Sequence, residues 1–158
     1  MAGVQVELTL QGIEGAARAL GQLAEPDIED LADRAGIILE SSTQDRIASE
    51  KVAPDGTPWE PWSDRYAKTR KGNHSLLVSS GLENSLLGAT QSYTTGTTVR
   101  VGNNLVYGAI HQMGGEIENA WGRGISVTMP ARPYLGLSAA DRDAIEALIA
   151  DTLTEGFE

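Results

Sequence analysis

One long amphipathic helix restricts how this chain can fold more than any other feature. Apolar residues recur at the three- and four-residue spacing of a single helix face, at Ile28, Leu31, Ala35, Ile38 and Leu39. Pro26 suits the first turn, and the acidic residues that follow it complement the positive end of the helix dipole. We predict a helix over residues 26–50, roughly 37 Å long at about 1.5 Å per residue. A helix of that length is expected to cross a whole face of a sheet or to protrude toward a neighbouring subunit.

Segments with a period of two predict the sheet. Residues 4–10 alternate apolar and polar side chains, which indicates a half-buried strand that turns Val4, Val6, Leu8 and Leu10 inward. The Thr- and Val-rich segments 89–93 and 97–102 predict a hairpin across residues 94–96. A further strand is predicted at residues 124–129, where Ile125, Val127 and Met129 alternate with polar residues.

Shorter helices are predicted around these strands. An Ala-rich run at residues 13–25 favours a helix, although Gly15 and Gly21 weaken it. Short helices are predicted at residues 64–69, after the cap residue Ser63, at 76–87, around the turn at residues 80–82, and at 105–112, ending at Gly114.

The last helix follows Ser138, which is spaced from Asp141 as in a capping box that has Asp in place of Glu. Its apolar stripe contains Ile145, Leu148, Ile149 and Leu153.

Two irregular segments lie between these elements. Residues 51–75 carry three prolines and two tryptophans without a clear period, and residues 114–124 form an arm that has glycines at both ends. We expect flexible loops at both places, inserted into a single domain that spans residues 1–158.

The distribution of charge argues against sequence-independent binding to nucleic acid. The net charge of −10 divides into −9 for residues 1–64, +4 for 65–74, zero for 75–135 and −5 for 136–158. Such binding depends on many Lys and Arg side chains that neutralise phosphates. A surface past which DNA slides without adhering would instead favour an acidic chain, because like charges repel.

Cysteine is absent and there are only two histidines, so disulfides, thiolate zinc sites, cysteine nucleophiles and multi-histidine metal sites are not expected. We predict no cofactor. No apolar run approaches the ~18 residues of a membrane span, and residues 1–11 lack the pattern of a signal peptide. The sequence therefore predicts a cytoplasmic, soluble product that does not contact a membrane.

His111 is the obvious candidate for catalysis, because an imidazole among apolar residues can act as a tuned base. No Ser or Cys nucleophile stands in an elbow motif, and no second ligand follows at helical spacing. We expect His111, and Gln112 beside it, to form structural or interface hydrogen bonds. The pair Glu116 and Glu118 has neither the cleft nor the fixed separation of glycosidase carboxylates, so a solvated loop is expected there.

Large aromatic and basic side chains are the candidates for protein contacts. Trp121 either docks on another protein or folds back on its own domain. Trp59 and Trp62 either contact a neighbouring subunit or cover the core, and the prolines that fix the course of this loop favour the second interpretation. Arg132, fixed beside Pro133, suits either a carboxylate on an acidic neighbour or a salt bridge within the domain.

The only basic cluster, residues 68–71, is too short to indicate nucleic-acid binding; a contact to an acidic protein or plain solvation is equally compatible.

Four blocks follow one another along the chain: GTPWEPW at 56–62, LVSSGL at 77–82, YGAIHQMG at 107–114 and PARPYLGL at 130–137. In this order they resemble the blocks of the phage virion morphogenesis proteins, the tail-completion proteins best known from Mu-like tailed bacteriophages. The resemblance covers roughly residues 25–150. Two positions depart from the pattern: Gly108 stands where Ala is common, and Ser80 stands where Thr usually precedes the glycine.

The resemblance implies an α+β fold, which with the elements above means a small, mostly antiparallel sheet packed against a long helix and a C-terminal helix. It implies a structural virion protein, not an enzyme, assembled in the host cytoplasm and placed at the head-tail junction. There it would form a ring around the DNA channel, with six copies favoured and twelve as the alternative. Its expected partners are other neck, portal-adaptor or tail-terminator proteins, while DNA passes without specific binding.

The matched blocks bring no catalytic residues, and we interpret them as fold and contact determinants. The candidate contact residues are Trp59, Trp62, Tyr107, His111, Gln112, Trp121, Arg132 and Tyr134. Two other classes remain open: a virion-associated hydrolase that uses His111, and a DNA-binding adaptor that uses residues 65–74.

Overall fold

The long helix packs on one face of a three-stranded antiparallel sheet. The computed structural model describes residues 3–12, 15, 27–70, 72, 74–78, 85–120 and 122–155. The sheet has the order β1 (Val4–Thr9), β3 (Thr98–Asn103), β2 (Gln91–Thr95), so that the hairpin strand β3 lies in the centre. Val6 is opposite Val101 across one pair, and Tyr93 is opposite Arg100 across the other. The predicted α+β class, the first strand and the hairpin are therefore confirmed.

Helix α1 (Ile28–Asp45) continues into a π-helical turn at Arg46–Glu50, and together they cover almost all of the predicted span. The start differs slightly, because Asp27 is the N-cap and its carboxylate accepts a hydrogen bond from the Asp30 amide at 3.0 Å. The turn ends at Lys51, which adopts a left-handed conformation with φ of 59°.

The apolar stripe of α1 forms the centre of the core. Leu31, Ala35 and Leu39 are buried as predicted, and the sheet contributes the buried side chains of Val99 and Val101. Gly36 permits a close approach of helix and sheet, since a Cβ at this position would lie 3.2 Å from Val99 Cγ1. Helix α5 (Ala139–Glu155) packs against α1 through the predicted stripe, in which Ile145 and Leu148 are buried.

The outer edge of strand β2 is occupied by a side chain of α1. Glu40 Oε2 accepts hydrogen bonds from the backbone amide of Ser92 at 2.6 Å and from its hydroxyl at 2.8 Å. One residue before the strand, the Thr90 carbonyl accepts a bond from Gln44 at 3.3 Å. Part of the hydrogen-bonding capacity of this edge is therefore already used.

The arm at residues 114–124 is a β-hairpin, which corrects the prediction of a loop. Strand β4 (Gly115–Ala120) pairs antiparallel with β5 (Ile125–Met129). Only β5 carries a pattern of period two that is long enough to recognise, whereas β4 has Ile117 alone between polar residues. Asn119 closes the turn with φ of 50°, and its side chain accepts a hydrogen bond from the Gly124 amide at 2.7 Å.

The short helices are reduced versions of those predicted. Helix α2 (Asp64–Ala67) begins after the cap residue Ser63, as predicted, and α4 (Gly108–Met113) ends at Gly114. Within the described part of the segment predicted as a helix at 76–87, only the start of α3 (Leu86–Ala89) is helical, and Ser75 and Val78 form an isolated bridge at the other end. Residues 79–84, and the helix predicted at 13–25 apart from Gly15, lie outside the described residues.

The long segment after Lys51 is irregular, but backbone hydrogen bonds fix its first part. Val52 and Pro58 form a bridge, and the Trp59 amide donates to the Lys51 carbonyl at 2.9 Å. The flexibility expected for residues 51–75 stays a prediction. Within the described part of the chain, no helix combines the length and apolar character needed to cross a membrane.

Candidate functional site

Residues 130–136, with the sequence PARPYLG, run through the interior between β5 and α5 without regular secondary structure. Arg132, Tyr134 and Leu135 are at most 4% exposed. Backbone polar groups that are buried outside helices and sheets need other hydrogen-bond partners. The side chains that satisfy this segment come mainly from three distant parts of the chain. The residues that these hydrogen bonds join are called the PARPYLG cluster: Arg46, Trp59, Asn103, Gln112, Arg132, Tyr134 and Asp141.

Gln112 satisfies three backbone groups of the segment at once. Its side-chain carbonyl accepts hydrogen bonds from the amides of Tyr134 and Leu135, both at 3.0 Å, and its amide donates to the Leu135 carbonyl at 3.0 Å. From helix α4, the Gln112 side chain therefore supplies this segment with the kind of hydrogen bonds that the backbone of a neighbouring strand would supply. The predicted hydrogen-bonding role of Gln112 is thus present inside the chain.

Arg46, at the start of the π-helical turn, is the second source of hydrogen bonds and is 2% exposed. Its guanidinium donates to the Tyr134 carbonyl at 2.7 Å, to the Ser42 hydroxyl at 3.1 Å and to Asp141 Oδ2 at 3.3 Å. It therefore joins α1, the PARPYLG segment and α5 at one point.

Asp141 is the buried counter-charge and also the cap of α5. Its carboxylate accepts a bond from the Ser138 amide at 2.8 Å, and its own amide donates to the Ser138 hydroxyl at 3.1 Å, so the predicted capping box is confirmed. Burial acts to raise the pKa of Asp141, but hydrogen bonds from Ser42 and Ser138 and the charge of Arg46 outweigh it and lower the pKa. The carboxylate is thereby kept ionised.

The loop around Trp59 is the third source. The Trp59 ring is buried in the core, and its indole N–H donates to the Pro133 carbonyl at 2.9 Å. In return, Arg132 Nε donates to the Glu60 carbonyl at 2.9 Å, and a terminal guanidinium nitrogen donates to the Pro61 carbonyl at 3.3 Å. The predicted covering role of Trp59 therefore agrees with its position.

The prediction of a salt bridge within the domain for Arg132 is wrong, because its guanidinium forms no ion pair with the described residues and is used on backbone carbonyls instead. Burial lowers the pKa of Arg132, while the charge of Glu60 opposes that shift. A contact between Arg132 and a neighbouring protein stays a prediction.

The Tyr134 hydroxyl completes the cluster on the side of β3. It accepts a hydrogen bond from the Asn103 side chain at 2.9 Å and donates to the Gly108 carbonyl at 3.2 Å. Burial raises the pKa of this phenol. A Cβ at position 108 would lie 2.5 Å from Asn103 Oδ1 and 3.1 Å from the Tyr134 hydroxyl, which gives a physical reason for glycine where alanine was expected.

His111 joins the cluster through its backbone, since its carbonyl accepts a bond from the Arg132 amide at 2.7 Å. Its ring meets Tyr107 edge to face at 5.9 Å between centroids, and its buried Nδ1 has no hydrogen-bond partner among the described residues. The side-chain hydrogen bond predicted for His111 is not formed at that nitrogen. Burial, followed by the charge of Arg132, lowers its pKa and favours the neutral ring.

Trp62 forms none of the hydrogen bonds of the PARPYLG cluster that the described residues show. Trp62 is half-buried and meets Tyr66 edge to face at 5.8 Å, with the Arg70 guanidinium 4.6 Å from the Tyr66 ring centre. Trp121 lies outside the described residues. In the ranges that the structure describes, no group of three or more His, Cys, Asp or Glu side chains is placed to hold a metal.

Three members of the cluster were absent from the candidates chosen by sequence. Arg46 lies seven residues, or about two helical turns, after Leu39 and therefore on the same face as the α1 stripe. A charged residue on an otherwise apolar helix face is the one feature of the sequence that indicates a buried role for Arg46. Asp141 was recognised only as a cap. Nothing in the sequence distinguished Asn103.

The chain is similar to Mu-like prophage FluMu G protein 2 of Haemophilus influenzae along almost its whole length. The two are 30% identical over 154 residues, and the aligned region covers 97% of this chain and 96% of the relative. No solved structure matches. The model of the phage virion morphogenesis family matches residues 8–154, and the chain belongs to that family.

Proposed function

We propose that this protein is a structural component of the head-tail junction of a tailed bacteriophage, where copies form a ring around the DNA channel. Membership of the virion morphogenesis family supports the role in particle assembly. The position at the neck and the ring are parts of the proposal. Neck, portal-adaptor or tail-terminator proteins are its proposed partners.

One observation carries the proposal: the described blocks at residues 107–114 and 130–137 help to build the interior and, with the described residues around them, present no exposed reactive constellation. The polar groups of the Gln112, Trp59 and Arg132 side chains form hydrogen bonds to backbone atoms of distant segments. A protein whose characteristic residues fix its shape is suited to act through its surface contacts.

The properties of His111 favour a non-enzymatic role over a hydrolase. A histidine base is normally oriented by a hydrogen bond to its second ring nitrogen, and the buried Nδ1 of His111 has no such partner among the described residues. His111→Ala is expected to change stability or assembly only. Loss of a virion-associated hydrolytic activity while assembly stays intact would contradict the structural role.

The charge supports passage of DNA without binding. Acidic residues dominate the two long helices, and the one basic segment carries only +4. We expect weak or absent retention of duplex DNA at physiological salt. Salt-sensitive retention that disappears when Lys68, Arg70 and Lys71 are neutralised would favour a DNA-binding adaptor instead.

The number of copies is tested directly by mass photometry and sedimentation of the protein with and without its neck partners. We expect a closed assembly, because head-to-tail contacts that close on themselves give one fixed number. The resemblance to the family favours six copies, with twelve as the alternative. A protein that stays monomeric even with its partners present would contradict the ring. An electron-microscopy map of the assembled neck would locate it.

A further inference from the structure

Few polar contacts hold residues 60–70 on the rest of the domain, and we call this segment the flap. Its residues are exposed apart from two that are half-buried. Arg132 donates to two carbonyls at the start of the flap at 2.9 and 3.3 Å, and Arg70 contacts His74 just beyond its end. Within the described part of the chain, the flap forms no other hydrogen bond or ion pair to a segment outside itself. Two arginines therefore provide the polar contacts that fix its position.

The first of these arginines, Arg132, acts on the ring of His111. That ring packs edge to face on Tyr107, and its buried Nδ1 has no hydrogen-bond partner among the described residues. A proton on this nitrogen would be a buried donor without an acceptor, and the resulting cation would be repelled by the guanidinium. Burial and, after it, the charge of Arg132 accordingly lower the pKa of His111. The neutral ring is therefore the form that fits the closed flap.

The second arginine, Arg70, requires a neutral ring at His74 through a direct hydrogen bond. Its Nη1 lies 3.1 Å from Nδ1 of His74. A guanidinium only donates, so this nitrogen must accept and carries no proton. The same guanidinium lies over the Trp62 and Tyr66 rings, 5.7 and 4.6 Å from their centres. An imidazolium has a proton on both nitrogens, so protonation of His74 would break the bond and bring two cations together.

The ionisable groups that face the two rings come from three elements. They are Tyr107 on α4, Arg132 in the PARPYLG segment, Arg70 and Tyr66 in the flap, and Glu60, whose charge acts on Arg132. No carboxylate of a described residue forms an ion pair with either histidine or either arginine. Between about pH 5 and 8, phenols and guanidiniums keep their protons and carboxylates stay largely ionised, so the imidazoles are the side chains that change charge. Mild acid therefore adds positive charge beside both arginines.

We infer that the flap is a pH-sensitive device, which stays closed while His111 and His74 are neutral and opens as they are protonated. The closed flap excludes the proton from both rings, whereas the open flap leaves them free to bind it. The two rings therefore stabilise the closed flap above about pH 6.5, and this contribution is lost as the pH falls.

Opening of the flap changes what the domain offers to other proteins. It releases the guanidinium of Arg132 from the flap carbonyls and uncovers more of Trp62, and both are candidate contact residues. The movement takes place within one copy and needs no assembled ring.

A pair of spin labels tests the movement in the full-length chain, which has no native cysteine. Lys68→Cys labels the flap and Asp143→Cys labels α5, both at exposed positions. The distance distribution is measured by double electron–electron resonance at about pH 7.5 and about pH 5, on either side of the range in which imidazoles titrate. We expect a narrow distribution at the higher pH and its loss at the lower. The control pair, Asp33→Cys on α1 with Asp143→Cys, should keep one distribution at both.

Two substitutions remove the titrating rings without removing their contacts. His111→Phe keeps an aromatic ring against Tyr107, and His74→Asn keeps an acceptor for Arg70. The doubly substituted chain should keep its flap closed at about pH 5. A wild-type flap distance that is the same at both pH values would overturn the device, and a doubly substituted chain that still opens in acid would overturn the role of the histidines. Equal broadening in the control pair would show global unfolding and would also overturn a local flap.

Proton NMR follows the two rings separately, because the chain has no other histidine. Single substitutions of each histidine by Phe assign the two signals. We expect His111 to titrate with a midpoint below the ordinary value of about 6.5, because the closed flap favours the neutral ring. A midpoint at or above that value would overturn the part assigned to His111. Circular dichroism at each pH confirms that every variant is folded.

Discussion

Replacing Arg46 by Met tests whether the buried guanidinium holds the PARPYLG segment in place. Methionine is unbranched and flexible enough to occupy much of the same space without a polar group. The change removes the three hydrogen bonds to the Tyr134 carbonyl, the Ser42 hydroxyl and Asp141. It also leaves the Asp141 carboxylate buried without its counter-charge.

The size of the effect follows from the burial of both partners. Removing one member of a buried ion pair costs about 3–5 kcal/mol, because the other charge remains without compensation. Total stabilities of about 5–15 kcal/mol are usual, so the loss is a large fraction. With a urea dependence of about 2 kcal/mol per molar, the unfolding midpoint should fall by roughly 1.5–2.5 M.

The assay is urea unfolding at pH 7, followed by tryptophan fluorescence, to which the buried Trp59 contributes, at one protein concentration for all variants. Arg34→Met is the matched control in the same helix, since Arg34 pairs with Asp30 at 3.8 Å with side chains 42% and 62% exposed. Exposed pairs of this kind contribute below about 0.5 kcal/mol. An equal midpoint shift in the two variants, or a shift of Arg46→Met below about 0.5 M, would refute the role of Arg46.

Three further substitutions probe the same cluster. Gly108→Ala should destabilise by about 1–3 kcal/mol, because the new Cβ lies 2.5 Å from Asn103 Oδ1. Gly15→Ala, at a helical residue whose Cβ position is open, should be neutral or stabilise by up to about 1 kcal/mol, and equal thermal midpoints for the two variants would contradict this. Gln112→Met leaves three backbone groups of Tyr134 and Leu135 without partners and should lower the free energy of unfolding, measured in urea, by at least about 2 kcal/mol. The control Gln91→Met, at an exposed position, should leave it nearly unchanged. Asp141 has a lowered pKa in the folded state, so its contribution is present above about pH 4 and is lost as the pH falls through the folded pKa. The destabilisation by Asp141→Asn should therefore shrink in acid, and a difference that is constant from pH 7 to pH 3 would show that ionisation plays no part.

Local patterns predicted the main elements well because each depends on nearby residues. The stripe of α1, the alternation of β1 and the capping box of Ser138 and Asp141 are all short-range signals, and the structure contains each of them. The hairpin at β4–β5 was missed for the same reason. Strand β4 has too few apolar residues to show a period, and its pairing depends on β5 across the turn.

The PARPYLG cluster could be predicted only in part, because its contacts join residues far apart in sequence. The sequence groups the blocks that contain Gln112, Trp59 and Tyr134, but it does not predict that these blocks contact one another. Arg46 lies 88 residues before its partner Tyr134 and 95 before Asp141. A single sequence carries no signal for such pairings, since they depend on how α1, α5 and the segment between β5 and α5 pack.

The bond from Ser92 to Glu40 restricts how this protein can associate with itself. Strands at the border of a sheet readily recruit strands from other molecules, and fibrils grow by that route. Here a helix of the same molecule already holds a border amide, so continuing the main sheet through β2 into a second molecule would first require this bond to break. Growth of the main sheet into an endless polymer through the β2 edge is thereby disfavoured relative to contacts between side chains.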